Sequence, residues 1–537
     1  MESGPAGSGA GAYLDDREQL HKLGYAQELF RSMGGFQNFA ISFTIISILA
    51  GCLTSYYIAF GQGGPVTVTW GWLIVGAFCI IVSLAMGEIA STYPTAGGLY
   101  FWSSKLPGGS PGWGWFTGWF NLIGQIAVTA SIGYGCAIFM TAWLNLITSG
   151  HYGNSFRWIL FTYALIMLAA GLINMFKVSI TATLNSFSAW WHMIGVAVIV
   201  FVLIIVPDHH QSVGYVFGHT VNATGFGGNT THGFVFFYVF LTGLLMAQYT
   251  ITGYDASAHM SEETRQASIG AAWGMVMSVV VSVIFGFALL VAVTFAIPST
   301  QGAIDNIGNI IPWIWETSMS RRWAEFLLFI AVVAQTFCTI ASTTSASRMM
   351  FAFSRDGAVP GHRLWKRVSK GDRIPIYTVW AIAVLAFAME IPTLSYGLTG
   401  YYCSTSVAVI GLYVAFVLPI ILRLKAGNKF ERGAWHLGKH YVWIDLLAIL
   451  WIAFICVVFM LPFAYAGVPW NKGFDWNLFN YTILTVGATF LLFGGWYVLS
   501  ARKWFKGPVR QGSDEELARI EQEFGEQATA SPAPATP

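Results

Sequence analysis

Along the chain, apolar runs of twenty or more residues alternate with shorter polar stretches. A helix that crosses a bilayer needs about 20 apolar residues. That rule predicts twelve spans, at 36–60, 70–92, 113–142, 157–175, 180–206, 233–258, 271–297, 323–352, 376–394, 402–423, 442–466 and 479–500. The expected class is an all-α integral membrane protein. Two spans interrupt their own pattern. In 46-ISILAGCLTSYY-57, small and polar residues fall at mid-membrane in span 1. In span 6, the apolar run 233-GFVFFYVFLTGLLMA-247 gives way to 249-YTITGYDASAHMSEET-264. Interrupted segments at corresponding places in two halves point to a transporter's binding site. Five spans separate them, which fits spans 1–5 (36–206) and spans 6–10 (233–423) as repeats of opposite topology. Spans 11–12 (442–500) are then an addition. The competing reading is that these glycines only let helices pack closely.

Composition agrees with a polytopic membrane protein. Of 537 residues, 55% are hydrophobic and 10% charged, where a soluble domain keeps about a quarter charged. A net charge of +2 gives no reason to expect a nucleic-acid partner. With an even number of spans, both termini lie on one side. Placing them inside puts 23 of the 27 Lys and Arg residues in cytoplasmic segments and leaves only Arg157, Arg321, Arg322 and Lys472 outside. Positive charge concentrates inside, so both termini are expected in the cytoplasm and the lipid bilayer is the expected medium. The segment 1–35 has charges and no apolar core, unlike a signal peptide, and residue 2 is Glu, which excludes a myristoylation start. In the tail 501–537, Ser513 with Glu516 predicts a capped helix over 514–525. The ATASPAPATP end beyond it is expected to be disordered.

The six cysteines fall in apolar runs without metal-ligand spacing, so neither a disulfide framework nor a metal site is expected. An intramembrane aspartyl protease needs a Gly-x-Gly-Asp partner for Gly-Tyr-Asp, whereas Asp445 sits in 443-WIDLL-447. No nucleophile–base pair or phosphate loop appears elsewhere. An enzyme and a cofactor are therefore not expected. A transporter-derived nutrient sensor is a further reading, opposed by the short tails.

The stretch 86-MGEIASTYPTAGGLYFW-102 resembles the motif after span 2 in the amino acid–polyamine–organocation superfamily. The stretch 253-GYDASAHMSEET-264 resembles the span 6 motif of its amino acid/choline transporter family, which includes GABA permeases. The segments 23–51, 347-SRMMFAFSRDGAVPGH-362 and 374-IPIYTV-379 are similar to the same family. The resemblance covers about residues 20–505. It implies a LeuT-type fold of two five-helix inverted repeats plus two helices, with alternating access around a central site. Substrates so implied are a small amino acid or related zwitterion such as GABA, with choline, polyamines or amino acid exchange as alternatives.

Where a helix unwinds, its next half begins with free N–H groups and a positive dipole end, which favours an anion. Ala50, Gly51 and Cys52, with Thr250, Ile251, Thr252 and Gly253, are therefore candidates to cradle a substrate carboxylate. Asp255 is open between contacting a substrate ammonium and holding or gating the unwound segment. Asn121 and Gln125 share a face of span 3 and are candidates either to line the pocket or to bridge helices. Glu262 and Glu263 are expected at the solvated cytoplasmic end of span 6. Proton-coupled relatives carry a span 5 lysine facing the broken part of span 1. His192 falls at or near that position, so it is a candidate to carry a coupling proton, the alternative being a core histidine. Glu88 is open between a structural ion-pair network with Arg348 and Arg355 and an intracellular gate. Ser342, Thr343, Thr344 and Ser345 leave a sodium site open. Asn222 and Asn229 begin N-x-T triplets.

Overall fold

The computed structural model describes residues 16–176, 178–369 and 373–529. Asp15, Lys177, Lys370 and the end of the tail from 530 lie outside the described residues. Among the described residues, twelve helices are long and apolar enough to cross a membrane: Gly35–Thr54, Pro65–Thr92, Pro111–Ile147, Phe156–Ile173, Ile180–Ile205, Gly233–Thr250, Ala267–Phe295, Arg321–Arg355, Ile376–Tyr396, Leu398–Lys429, Tyr441–Val458 and Thr482–Trp504. These are spans 1 to 12, and no named strand occurs among the described residues.

Local chemistry sets several of the helix starts. Pro65 and Pro111 open spans 2 and 3 at the position where a missing N–H costs nothing. The Ser110 hydroxyl accepts from the Trp113 N–H. Span 7 is capped from far away in sequence, since the Asp16 carboxylate accepts from the N–H groups of Gln266 and Ala267 at 2.7 and 3.1 Å.

Burial separates inner helices from outer ones. Within their most apolar windows, 83% of span 1 and span 3 is buried, against 6% of span 12. Spans 1 and 3 therefore lie inside the bundle, while span 12 turns Leu491, Leu492 and Leu499 outward. Spans 3 and 10 cross at Gly124 and Gly411, where a Cβ on Gly411 would lie 2.8 Å from the Gly124 Cα. Only glycine permits that approach, the close packing expected where helices meet in lipid.

The two tails share one face. A helix over 16–22 leads into an extended stretch that pairs with the segment after span 6: the Met33 N–H donates to the Glu263 carbonyl and the Arg265 N–H to the Met33 carbonyl, both at 2.9 Å. The helix Asp514–Thr529 packs beside it. Glu521 accepts from the Gln27 N–H and contacts His21 and Arg17. The Gln511 N–H donates to the Gly24 carbonyl, and the Gln511 side chain accepts from the Ala26 N–H.

Candidate functional site

Span 1 is three pieces, Gly35–Ile46, Ile48–Thr54 and Tyr56–Gly61. Its break falls at Ser47, in the left-handed region at φ +32°, three residues before the expected Ala50. Ala50, Gly51 and Cys52 instead form the first turns of the second piece. Serine tolerates the break because its surroundings hold it. The Ser47 hydroxyl accepts from the Ala50 N–H at 3.2 Å and lies 2.7 Å from His192 Nε2. The other imidazole nitrogen, Nδ1, donates to the Ser188 carbonyl at 2.8 Å. A carbonyl only accepts, so Nε2 is the nitrogen that takes the Ser47 proton or gains one of its own. His192 is fully buried and touches the hinge of span 1 directly.

Span 6 runs as Gly233–Gly243 and Leu245–Thr250, unwinds through Ile251, Thr252 and Gly253, and resumes as Ala256–His259. Gly253 has φ +100°, a conformation that other residues enter only with strain. Unpaired backbone at this depth is costly, and side chains from neighbouring helices answer it. Tyr413 donates to the Ile251 carbonyl, Ser42 to the Tyr254 carbonyl, Gln335 to the Leu49 carbonyl and Cys338 to the Ile45 carbonyl. The two broken segments touch: a Cβ on Gly51 would lie 2.5 Å from the Thr250 hydroxyl, and one on Gly253 would lie 2.4 Å from Ile45. Here the glycines serve close packing and the unwound backbone together.

Gln125 donates to Asp255 at 2.7 Å, so this pair bridges span 3 to the break in span 6. Asp255 also lies 3.3 Å from His259 Nε2, and His259 Nδ1 donates to the Ala96 carbonyl. Attraction across the Asp255–His259 contact therefore requires one proton between them. Asn121, one turn from Gln125, is buried with neither its amide nitrogen nor its oxygen partnered. Among the span 8 hydroxyls, Ser342, Thr343 and Thr344 all donate to helix carbonyls, and Ser345 has no partner. The Asn222 amide donates to two carbonyls and its oxygen accepts from Thr224, whereas Asn229 lies at the surface.

Two expectations about charge are overturned. Glu262 and Glu263 are not solvated; both are fully buried. Glu262 pairs with Arg355 at 3.0 Å and accepts from the Ala96 N–H, and Glu263 pairs with Arg348 at 3.0 Å. The N-terminal stretch covers them, as Arg31 donates to the Ser261 and Thr264 carbonyls and the Arg355 guanidinium lies 3.9 Å over the Tyr25 ring. Glu88 does not join Arg348 or Arg355. It pairs with Arg423 at 2.8 Å and accepts from the Leu437 N–H. Asp356 closes the same face, accepting from Tyr25, Tyr100 and the Val509 N–H. The tail face is thus sealed by buried ion pairs.

The opposite face is open. A cavity of about 490 Å³ there is lined by Tyr57, Gln62, Asn229, Thr399, Tyr402 and Phe463 among others. A narrower recess beneath it reaches Leu53 and Thr54. The Tyr401 hydroxyl donates to Thr54 at 3.1 Å, and Thr54 donates to the Ala50 carbonyl at 2.9 Å. This tyrosine layer separates the cavity from the broken helices. Sequence reasoning passed over Ser47, Tyr401, Arg423 and Glu390. Glu390 fell inside the expected span 9, and the rule that singled out Asp255 applies to it equally.

Residues 33–489 match the amino acid permease family. An amino-acid permease BAT1 homolog of Oryza sativa is 39% identical over 91% of this chain and 95% of its own length. The amino-acid permease BAT1 of Arabidopsis thaliana is 37% identical over 91% and 96%. A GABA-specific permease of Saccharomyces cerevisiae is 26% identical over 95% and 90%.

Proposed function

The chain belongs to the amino acid permease family, and on that premise we propose that it is a proton-coupled secondary active transporter for a small zwitterionic amino acid. GABA is the first candidate and an α-amino acid the second. The observation that carries this reading is the paired interruption of spans 1 and 6, in contact with each other between a sealed face and an open one. Such geometry suits alternating access. Substrate enters from the open face, the tyrosine layer at Tyr57 and Tyr401 closes behind it, and the ion pairs of the tail face then separate. The repeats would be 36–206 and 233–423, with 442–500 as two further helices.

A carboxylate suits the breaks, since each new half-helix presents the positive end of its dipole. The Ala50 N–H is held by Ser47 and the Ser257 N–H by Ser42 until a ligand competes for them. Ala50, Gly51 and Cys52 line one side of this cradle and Thr250 to Gly253 the other. The unpartnered Asn121 amide is a polar group for the substrate's remaining end. His192 fits a coupling role because its Nε2 meets the hinge at Ser47. When it is neutral, Ser47 donates to it. When it is protonated, Nε2 donates instead and Ser47 must turn its proton elsewhere, which links charge to the break. The charge bias supports an orientation with both tails cytoplasmic, and the plasma membrane is the location we propose.

The test is uptake into proteoliposomes with labelled GABA and alanine, competed by unlabelled GABA, alanine, glutamate, lysine and choline. A buried N–H left unmade costs about 1–3 kcal/mol, so choline should bind roughly ten- to hundred-fold more weakly than the best zwitterion. If choline competes best and decarboxylated analogues match their parent amino acids, the carboxylate cradle is wrong.

A further inference from the structure

Glu390 ends the helix Ile376–Met389 of span 9 and is fully buried, with neither carboxylate oxygen hydrogen-bonded. Its own carbonyl accepts from Thr393. The titratable groups within electrostatic reach of it come from several helices: Tyr57 of span 1, Tyr134 of span 3, Tyr163 of span 4, and Tyr401 and Cys403 of span 10. The Ser404 hydroxyl is adjacent but donates to the Tyr401 carbonyl. Among the described residues no Arg, Lys or His side chain offsets its charge. An isolated ionised carboxylate is not sustained in such surroundings, whereas a neutral acid is. Hydroxyls around it are also unspent, since those of Tyr57, Tyr134 and Tyr163 have no partner.

The position gives this acid a route in each direction. Toward solvent, Tyr57 lines the open cavity and stacks on Tyr401 with ring centres 6.5 Å apart. Toward the site, Tyr401 donates to Thr54, and Thr54 to the Ala50 carbonyl just beyond the break in span 1. His192 lies on the other side of that break against Ser47, away from the cavity.

We propose that Glu390 is a proton-binding site of the transport cycle, loaded from the open face and linked through Tyr401 and Thr54 to the broken part of span 1. The proposal rests on the proton-coupled reading above and adds the group through which the proton enters. Holding the proton keeps the tyrosine layer closed over a neutral acid. Losing it leaves a charge that must draw in water or a cation, so release favours rearrangement of that layer.

The experiment uses the full-length protein and Glu390→Gln, which keeps shape and hydrogen-bonding capacity but takes no proton. Infrared difference spectra across an alkaline pH jump should show in the wild type the loss of one carboxylic C=O component that the variant lacks. Other partly or fully buried acids, Asp356, Glu28 and Asp445, give a background that both proteins share. This readout needs no substrate, so it stands or falls apart from the transport reading. In proteoliposomes, Glu390→Gln should exchange labelled for unlabelled substrate more slowly than the wild type, because its tyrosine layer stays closed, while accumulation driven by an imposed pH gradient falls to simple equilibration. Tyr401→Phe, which leaves the acid in place, should keep the infrared band and weaken the gradient-driven uptake. Identical spectra for wild type and Glu390→Gln overturn the site. A spectral difference with gradient-driven accumulation undiminished overturns its role in coupling. A wild type with the band but no proton-driven uptake overturns the transport reading and the coupling role together, leaving only the acid.

Discussion

Replacing Glu262 with glutamine tests whether buried charge keeps the tail face shut. Both Glu262 oxygens lie near Arg355, at 3.0 and 3.2 Å, in a fully buried setting. The substituted amide would still accept from the Ala96 N–H but would leave Arg355 without its ionic partner. Removing one member of a buried pair costs about 3–5 kcal/mol. Arg355 keeps the Tyr25 ring beneath it and the charge of Glu28 nearby, which holds the cost near the lower figure. This cost falls on the closed arrangement alone, because an open face hydrates both groups. At 1.4 kcal/mol per decade, the closed–open balance should shift roughly hundred-fold toward open. Cys52, fully buried beyond the break in span 1, is a native reporter once the other five cysteines are replaced. Its labelling by an impermeant thiol reagent applied from the tail side should accelerate by about that factor, up to the point where the open form dominates. Pairing the change with Arg355→Gln removes the orphaned charge and should recover much of the protection. Unchanged labelling in a folded Glu262→Gln protein would refute the claim that this pair holds the face closed.

Burial pushes the Asp356 and Glu28 carboxyls above the usual carboxylate range, against the opposing pull of Arg355. Both therefore bind protons more tightly in the closed state, so their stabilisation is present at low pH and is lost as pH rises through their raised values; Cys52 labelling from the tail side should increase with pH, and Asp356→Asn should flatten the dependence. His192→Gln can still hydrogen-bond Ser47 but takes no proton, and it should flatten the pH dependence of uptake, as measured by initial rates. Gly51→Leu drives a side chain into Thr250 and should abolish binding in an equilibrium assay. Gly253→Ala, strained at φ +100° by about 1–2 kcal/mol, should retain folding with weakened transport, read as uptake per folded molecule.

The twelve helices were legible because a bilayer-length apolar run is a local property. The span 6 break was legible for a similar reason, since Gly253 supplies the positive φ itself. In span 1 the glycine at 51 drew attention, yet the chain turns at Ser47. That turn is held by His192, 145 residues away, and no local propensity records such a partner. Charge pairing misled for the same reason. Glu88 and Arg348 look like neighbours on one face, but Glu88 finds Arg423, 335 residues on. Glu262 and Glu263 read as solvated because their cover, the stretch from Gln27 to Met33, lies some 230 residues upstream.

The pairing of the two tails sets an order on the birth of the protein. Glu521 and Gln511 hold the segment from Arg17 to Glu28 across nearly 500 residues, so that segment waits through the synthesis of every span before its partner exists. Until then, the covering over Arg355 and Glu262 has only its N-terminal half, and the acidic and basic groups beneath can hydrate. The tail face is therefore the last part of the molecule to dry out. A ribosome that stops after span 12 would release a chain with all its membrane helices and a leaking door at the tail face, a defect that membrane insertion alone does not reveal.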